Sequence, residues 1–276
     1  MRFHKIVLWQ ALFAALGLSG VSPACAQQVR KTSASRAEQA LSLSASNGQF
    51  TFVVFCKTDG PATQAMVGAV ENGIAAKPGE ATLVLVQITN PAEKKLVDKF
   101  GVSRAPMPLC LAVAPNGAVT GAFRKAPSVD DVVRAFVTPT MTRCMKAMQE
   151  GKVVLVCVQN TQPAPTPAGV AGLQADPQFK DRIATVPLAT DDPAEADFLA
   201  QLQIDADNSE GIATVMLAPP GVLVGKFSPS TTADEMAAAL HEAGKCCNDE
   251  NCKHHKKAGS AAQHKTTRNR SNTSRR

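Results

Sequence analysis

Short apolar runs alternate with amphipathic stretches along most of the chain, and this pattern occurs twice in the same order. Three stretches recur with similar residues, and the offset between the copies grows slowly along the chain. The matched pairs are residues 53–56 with 154–157 at an offset of 101, residues 90–93 with 192–195 at 102, and residues 114–117 with 218–221 at 104. Because order and spacing are both kept, we interpret the body as a duplicated domain with small loop insertions.

Each copy has the pattern of strand, helix, strand, helix, hairpin and helix. Asn116-Gly117 between two apolar runs is a strong signal for the hairpin turn. Apolar residues at helical spacing, from Val129 to Phe136, predict one buried face on the last helix of the first copy. The first copy is predicted to have strands near residues 51–56, 82–88, 107–114 and 118–124, and helices near 60–76, 91–100 and 127–137.

The repeat sets the expected domain organisation of the chain. A short helix is expected around residues 35–43 of the lead-in, and another around residues 141–149 between the copies. The expected segments are a signal peptide at 1–26, a lead-in at 27–50, a first domain at 51–137, a linking helix at 138–151, a second domain at 152–244, and a Cys/His cluster with a basic disordered tail at 245–276.

The N-terminus has the features of a cleaved export signal. Arg2 and Lys5 precede an apolar stretch at residues 6–18, and Ala24-Cys25-Ala26 supplies the small residues that signal peptidase needs. The apolar stretch is shorter than a membrane-spanning helix, so no permanent transmembrane segment is expected. We therefore expect an exported protein, periplasmic or extracellular, with lipidation at Cys25 as the alternative to cleavage.

Composition and charge narrow the classes of partner. The chain is 45% hydrophobic and 19% charged, which is typical of globular domains, but only 4% aromatic and without Tyr. Rings on which bases could stack are scarce, which argues against specific nucleic-acid binding. Residues 245–276 hold nine Lys/Arg against two Asp/Glu, while the body is slightly acidic. A basic tail of this kind is either a solvated tail or one that holds an anionic surface by charge.

The order of elements, together with Phe100-Gly101-Val102-Ser103-Arg104-Ala105-Pro106, resembles the thioredoxin-like superfamily. The resemblance covers residues 51–137 well and residues 152–243 less well. It implies two tandem thioredoxin-like α/β domains, each βαβαββα. It also implies a cis-proline that faces the redox site, and Pro106 occupies the matching position.

The chain departs from this superfamily at the residues that would carry redox chemistry. The family has Cys-x-x-Cys at the start of its first helix, where the helix N-terminus lowers the thiol pKa. Here the sequence is Asp59-Gly60-Pro61-Ala62, with Asp59 expected as the N-cap and Pro61 in the first turn. A carboxylate cannot exchange disulfides. The first hypothesis is a redox-inactive binding or scaffolding module, not an enzyme, which meets a protein or peptide partner along the edge at Asp59 and Pro106.

The cysteines of the body leave a second hypothesis open. Cys56 at the end of the first strand and Cys110 on a later strand would serve an atypical thiol-disulfide oxidoreductase as nucleophile and resolving thiol. The alternative is that Cys56, Cys110 and Cys157 are small buried apolar side chains, because their neighbours are uniformly apolar. Cys144 on the linking helix is a further candidate for a disulfide.

The C-terminal cluster gives a third hypothesis, a metal-binding protein. Thiols and imidazoles within one short segment offer ligands for a zinc or copper ion. The alternative is that one cysteine bridges to another and holds the last helix, while the histidines belong to the basic tail. The candidate ligands are Cys246, Cys247, Cys252, His254 and His255.

Overall fold

The computed structural model describes residues 34–160, 165–204 and 213–245. Within these ranges the chain forms two repeats of mixed α/β structure, each with its own four-stranded sheet. The predicted order of strand, helix, strand, helix, hairpin and helix is confirmed in both copies. One further helix precedes the first strand of each repeat.

The first repeat begins with the helix that the lead-in pattern predicts. A short 3-10 helix, Pro91–Glu93, precedes its third helix. Its elements are α1 (Arg36–Ser46), β1 (Phe50–Cys56), α2 (Pro61–Ala75), β2 (Ala81–Gln87), α3 (Lys94–Phe100), β3 (Leu109–Val113), β4 (Val119–Phe123) and α4 (Val129–Val133).

The second repeat has the same elements in the same order. Its 3-10 helix is Pro193–Glu195. The elements are α5 (Pro139–Gln149), β5 (Val153–Gln159), α6 (Ala168–Ala175), β6 (Ile183–Ala189), α7 (Ala196–Gln201), β7 (Thr214–Ala218), β8 (Val222–Phe227) and α8 (Ala233–Lys245). The helix α5 that joins the repeats therefore takes the place in the second copy that α1 takes in the first.

Strand order is the same in both sheets. The first sheet runs β2-β1-β3-β4, in which β1 is parallel to β2 and antiparallel to β3. The second sheet runs β6-β5-β7-β8 with the same directions. Both faces of the central strands are buried, as expected for a sheet covered by helices on each side. Each repeat thus has a thioredoxin-like fold, and the predicted fold class of two tandem α/β domains is confirmed.

A buried glutamate fixes the first helix of each repeat. Glu93 lies at the end of a 3-10 helix, is 7% exposed, and accepts a hydrogen bond of 2.7 Å from the hydroxyl of Ser35, the N-cap of α1. Glu195 is 3% exposed and accepts a bond of 2.8 Å from the backbone N–H of Thr140 in α5. These hydrogen bonds tie the first helix of each repeat to the 3-10 helix that follows its second strand. The second carboxyl oxygen of Glu195, Oε2, is buried and has no hydrogen-bond partner among the described residues.

One side chain links the two repeats directly. The amide of Gln149, at the end of α5, donates to the carbonyl of Val119 at 2.7 Å and accepts from the N–H of Val119 at 3.0 Å. Val119 begins β4, the edge strand of the first sheet. The helix that opens the second repeat therefore also contacts the first.

The predicted helix at residues 127–137 is shorter in the structure, and its expected face is only partly buried. α4 ends at Val133, and Val129 is 43% exposed while Val132 is fully buried. Phe136 leaves the helix and packs its ring 5.1 Å from that of Phe50. Residues 136–138 are not helical, and Thr138 has the extended backbone, φ −63° and ψ 158°, that a residue before proline favours.

The strand register corrects the first repeat offset. Val54 pairs with Cys110 in the first sheet, and Cys157 pairs with Thr214 at the matching place in the second. The structural counterpart of Cys157 is therefore Val54, not Cys56, and the offset of 101 is wrong by two residues. A shift of two keeps every side chain on the same face, so the apolar pattern alone could not detect it.

The export signal expected at 1–26 lies outside the described residues, and so does all but the first residue of the Cys/His cluster and tail expected at 245–276. Among residues 34–160, 165–204 and 213–245, none of the helices has the length and apolar character needed to cross a membrane.

Two glycines of α2 give a matched test of helix packing. A Cβ on Gly73 would lie 2.4 Å from the Cβ of Val132 in α4, whereas a Cβ on Gly68 would meet nothing within 4 Å. We expect Gly73→Ala to lower the free energy of unfolding by about 1–3 kcal/mol because the core is overpacked. Gly68→Ala should leave it unchanged or raise it by up to about 1 kcal/mol, since alanine favours the helix. Urea unfolding of both variants measures the difference, and equal effects would contradict the close contact between α2 and α4.

Candidate functional site

Two loops of the first repeat leave its sheet at the same end. Phe55, the residue before the last in β1, pairs with Leu109, the first residue of β3. The loop of residues 57–60 that follows β1 therefore starts beside the loop of residues 103–108 that precedes β3. The carbonyl of Lys57 accepts a hydrogen bond of 3.1 Å from the side chain of Gln87, at the end of β2. The predicted binding residues Asp59 and Pro106 lie in these two loops.

The start of α2 differs from the prediction by one residue. Gly60, not Asp59, is the N-cap, with extended backbone angles and no side-chain hydrogen bond to the helix. Pro61 takes the first helical position, so the residue directly before it has to be the cap. Asp59 is exposed one position outside the helix, and the prediction that it caps α2 is wrong. The hydroxyl of Thr63 donates to the carbonyl of Thr58 at 2.9 Å and holds the loop against the helix.

The cis peptide bond lies two residues later than the resemblance implied. It joins Met107 and Pro108, directly before β3, and the bond before Pro106 is trans. Pro106 is exposed, so the expectation that it is the cis-proline is wrong. By continuation of the strand register, Pro108 lies opposite Cys56. In the described part of the chain, the backbone of Met107 has no hydrogen-bond partner.

Cys56 and Cys110 are both buried, and neither forms a disulfide within the described part of the chain. Burial raises the pKa of the Cys56 thiol, and the negative charge of Asp59 raises it further. Burial raises the pKa of Cys110 to about 12. Cys56 is two residues beyond Val54, the cross-strand partner of Cys110, so the two cysteines are diagonal neighbours on one face. Diagonal neighbours lie about 7–8 Å apart, further than a disulfide normally spans.

The other described cysteines are buried too. Cys144 is 1% exposed and unpaired, so it forms no disulfide among the described residues. Burial raises the pKa of Cys144 to about 12, with a smaller lowering effect from Arg143 and a raising effect from Glu195. Burial also raises the pKa of Cys157. These environments keep the four thiols protonated, the form in which a thiol is a poor nucleophile.

The candidate metal ligands of the C-terminus, residues 246, 247, 252, 254 and 255, lie outside the described residues. In the ranges that are described, His, Cys, Asp and Glu side chains form no group of three or more that could hold a metal ion. The third hypothesis therefore stays a prediction.

Sequence reasoning missed a pair of equivalent pockets beneath the first helix of each repeat. In the first repeat a pocket of about 370 Å³ lies between α1, α3 and the β3–β4 hairpin. In the second repeat a pocket of about 450 Å³ lies between α5, α7 and the β7–β8 hairpin. The signal for the second was present in the sequence as Met141, Cys144, Met145 and Met148, at helical spacing on one face of α5.

Comparison with known proteins gives matches in structure only. No family model and no curated protein matches the chain in sequence. Among solved structures, the thioredoxin Deadhead of Drosophila melanogaster is 13% identical over 34% of this chain and 85% of its own, with a TM-score of 0.28. An N-terminal domain of the alkylhydroperoxide reductase AhpF of Enterococcus faecalis is 15% identical over 73% of this chain and 96% of its own, with a TM-score of 0.26. Human ERp44 in its zinc-bound form is 8% identical over 75% of this chain and 59% of its own, with a TM-score of 0.32.

The buried thiols should resist alkylation in the folded protein. With a pKa of about 12 in place of 9.0, Cys110 has a thiolate fraction at pH 8 that is about 1000-fold lower than that of an ordinary cysteine. We expect iodoacetamide to modify Cys56 and Cys110 far more slowly in buffer than in denaturant. For Cys110 the alkylation rate should still rise with pH above 9, because burial raises the pKa of its thiol to about 12. Peptide mapping by mass spectrometry follows each residue, and rapid labelling of native Cys56 at neutral pH would contradict this prediction.

Proposed function

We propose that this protein is an exported, redox-inactive tandem thioredoxin-like protein that binds an extended peptide segment of a partner at the loop end of its first sheet. The observation that carries the proposal is the start of α2. Asp59 and Ala62 flank Gly60-Pro61 there, so the frame of a thioredoxin-like site is present without its two thiols.

The environment of the remaining thiols supports the absence of redox chemistry. Cys56 is the cysteine nearest to this helix start in sequence, and it is 2% exposed with a raised pKa. Thiol–disulfide exchange requires an accessible thiolate that attacks one sulfur of a disulfide. The carboxylate of Asp59 disfavours a second negative charge at Cys56, which is opposite to the effect of the cationic groups that activate catalytic cysteines.

The backbone at the cis bond supports peptide binding. The N–H and C=O of Met107 form no hydrogen bond within the described residues, and the side chain is only partly buried. An extended peptide can pair with such free backbone groups as an added strand does. Exposed Lys57 and Asp59 on one loop and Arg104 on the other give the surface charges of both signs, which can bind a charged peptide.

The exported location is proposed from residues 1–26, which have the charge, apolar stretch and small residues of a cleaved signal. In an extracytoplasmic compartment a redox-inactive domain of this type would serve as a scaffold that holds a partner segment in extended form.

Restoring the two thiols should create the activity that the native chain lacks. We expect the unmodified protein to reduce insulin disulfides no faster than dithiothreitol alone. The double variant Asp59→Cys with Ala62→Cys should accelerate the reduction, because the helix N-terminus stabilises a thiolate there. The single variant Ala62→Cys serves as the matched control and should remain inactive. Insulin reduction by the unmodified protein that disappears in Cys56→Ser would instead establish the atypical oxidoreductase.

Peptide binding should be local to the loop end. The probe is ribonuclease A that has been reduced and carboxymethylated, which is a permanently extended chain without free thiols. On its addition we expect amide shifts in the NMR spectrum at residues 58–60 and at Met107. The amide of Asn116, in the hairpin at the other end of the sheet, should not move. Shifts confined to other surfaces, or none at millimolar probe, would contradict this site.

A further inference from the structure

Four sulfur-bearing side chains lie on one face of α5. Met141, Cys144, Met145 and Met148 occupy positions i, i+3, i+4 and i+7 of an eleven-residue helix. Neighbours at this spacing have Cβ atoms about 5–6 Å apart, so the sulfur atoms of long, flexible side chains can converge. We call these four residues the sulfur face.

The sulfur face lines the pocket of about 450 Å³ in the second repeat. Cys144 forms its most buried part at 1% exposure, while the three methionines are partly buried. The remaining lining is apolar, from α7 and the β7–β8 hairpin, apart from the side-chain amides of Gln149 and Gln201. None of the lining residues is His, Asp, Glu, Lys or Arg. The possible metal ligands of this pocket are therefore soft sulfur atoms, and most of the residues around them are apolar.

The first repeat provides an internal comparison. Its equivalent pocket lies beneath α1, where the residues at the four matched positions carry no sulfur. Lys99 also lines this pocket. The matched residues are Glu38, Leu41, Ser42 and Ala45. Since the equivalent pocket of the first repeat is lined by glutamate, leucine, serine and alanine at these positions, the fold itself does not require four sulfur atoms in the second repeat.

We propose that the sulfur face binds a soft monovalent metal ion, Cu(I), through the thioethers of Met141, Met145 and Met148, with Cys144 as the fourth ligand. Thioether and thiolate ligands select Cu(I) among the biological metals. Zinc sites are built from Cys, His and carboxylates, so a set dominated by thioethers does not match zinc. Calcium and magnesium require oxygen ligands that this pocket lacks.

The binding step changes no oxidation state. The three thioethers coordinate the ion without losing a proton. Cys144 loses its thiol proton to water as its sulfur binds, so the positive charge of the ion is balanced by one thiolate. The apolar lining limits access of water to the ion, which slows oxidation to Cu(II). This site is independent of the peptide surface in the first repeat.

The test separates this site from the C-terminal cluster in the full chain. A tail variant replaces all five candidate tail ligands, so that the Cys/His cluster can no longer hold the ion. Its substitutions are Cys246→Ser, Cys247→Ser, Cys252→Ser, His254→Asn and His255→Asn. Anaerobic competition with the coloured Cu(I)–bicinchoninate complex, in the presence of ascorbate, measures the bound ion. We expect the tail variant to bind one Cu(I) per chain.

Replacing the methionines in this background should abolish that binding. Met141→Leu, Met145→Leu and Met148→Leu conserve volume, so the fold should be retained. The matched control, Met216→Leu with Met236→Leu, changes two buried methionines outside the pocket and should leave Cu(I) binding unchanged. A tail variant that binds no Cu(I), or one that keeps it after the three substitutions, would overturn the proposal.

A second measurement does not depend on the fold of the triple variant. In the tail variant labelled at its methionine methyl groups, one equivalent of Cu(I) should shift the NMR signals of the three methionines of the sulfur face. The signals of Met216 and Met236 should stay in place. Shifts at Met216 or Met236, with none at the sulfur face, would count against the site.

Discussion

The arrangement of both repeats depends on a carboxylate taken out of water. Glu93 and Glu195 each end a Pro-Ala-Glu turn, and each directs its side chain to the beginning of the first helix of its repeat. A buried carboxyl group without a hydrogen-bond donor is costly, and the first helix of each repeat supplies one donor to it. Those two helices form one wall of the paired pockets, and α5 carries the sulfur face. In each repeat the helix that is bonded to the buried glutamate therefore also lines the pocket.

The fold could be predicted from the sequence because the hydrophobic periodicity and the turn residues indicate the same boundaries for the helices and strands. Asn116-Gly117 forms the expected hairpin turn, and the 3-10 turns begin with side chains that cap them, Asn90 and Asp192. The prediction of strand equivalence was wrong where the hydrophobic pattern does not distinguish one register from another. A register shift of two residues preserves the faces of a strand, so the equivalence of Cys157 with Val54 emerged only from strand pairing.

The residues at the loop end of the first sheet were predicted less well, because neighbouring positions offered similar residues. The absence of a Cys-x-x-Cys at the start of α2 can be read directly, but the choice between Asp59 and Gly60 as the cap depends on the position of Pro61. Two prolines close together, Pro106 and Pro108, made the cis position ambiguous in sequence. The sulfur face was visible as a helical stripe. Its interpretation as a binding site depended on the pocket that these residues line and on the comparison with α1. Both require the tertiary structure.

The bidentate contact of Gln149 has a consequence for the assembly of the chain. A side-chain amide that both donates to and accepts from Val119 imitates the backbone of a neighbouring strand. It occupies the first hydrogen-bonding unit of β4, an outer strand whose open groups would otherwise be a template for another chain. Each copy of a duplicated domain adds sheet edges at which another chain could pair. Here the helix that opens the second repeat covers one hydrogen-bonding position on such an edge of the first.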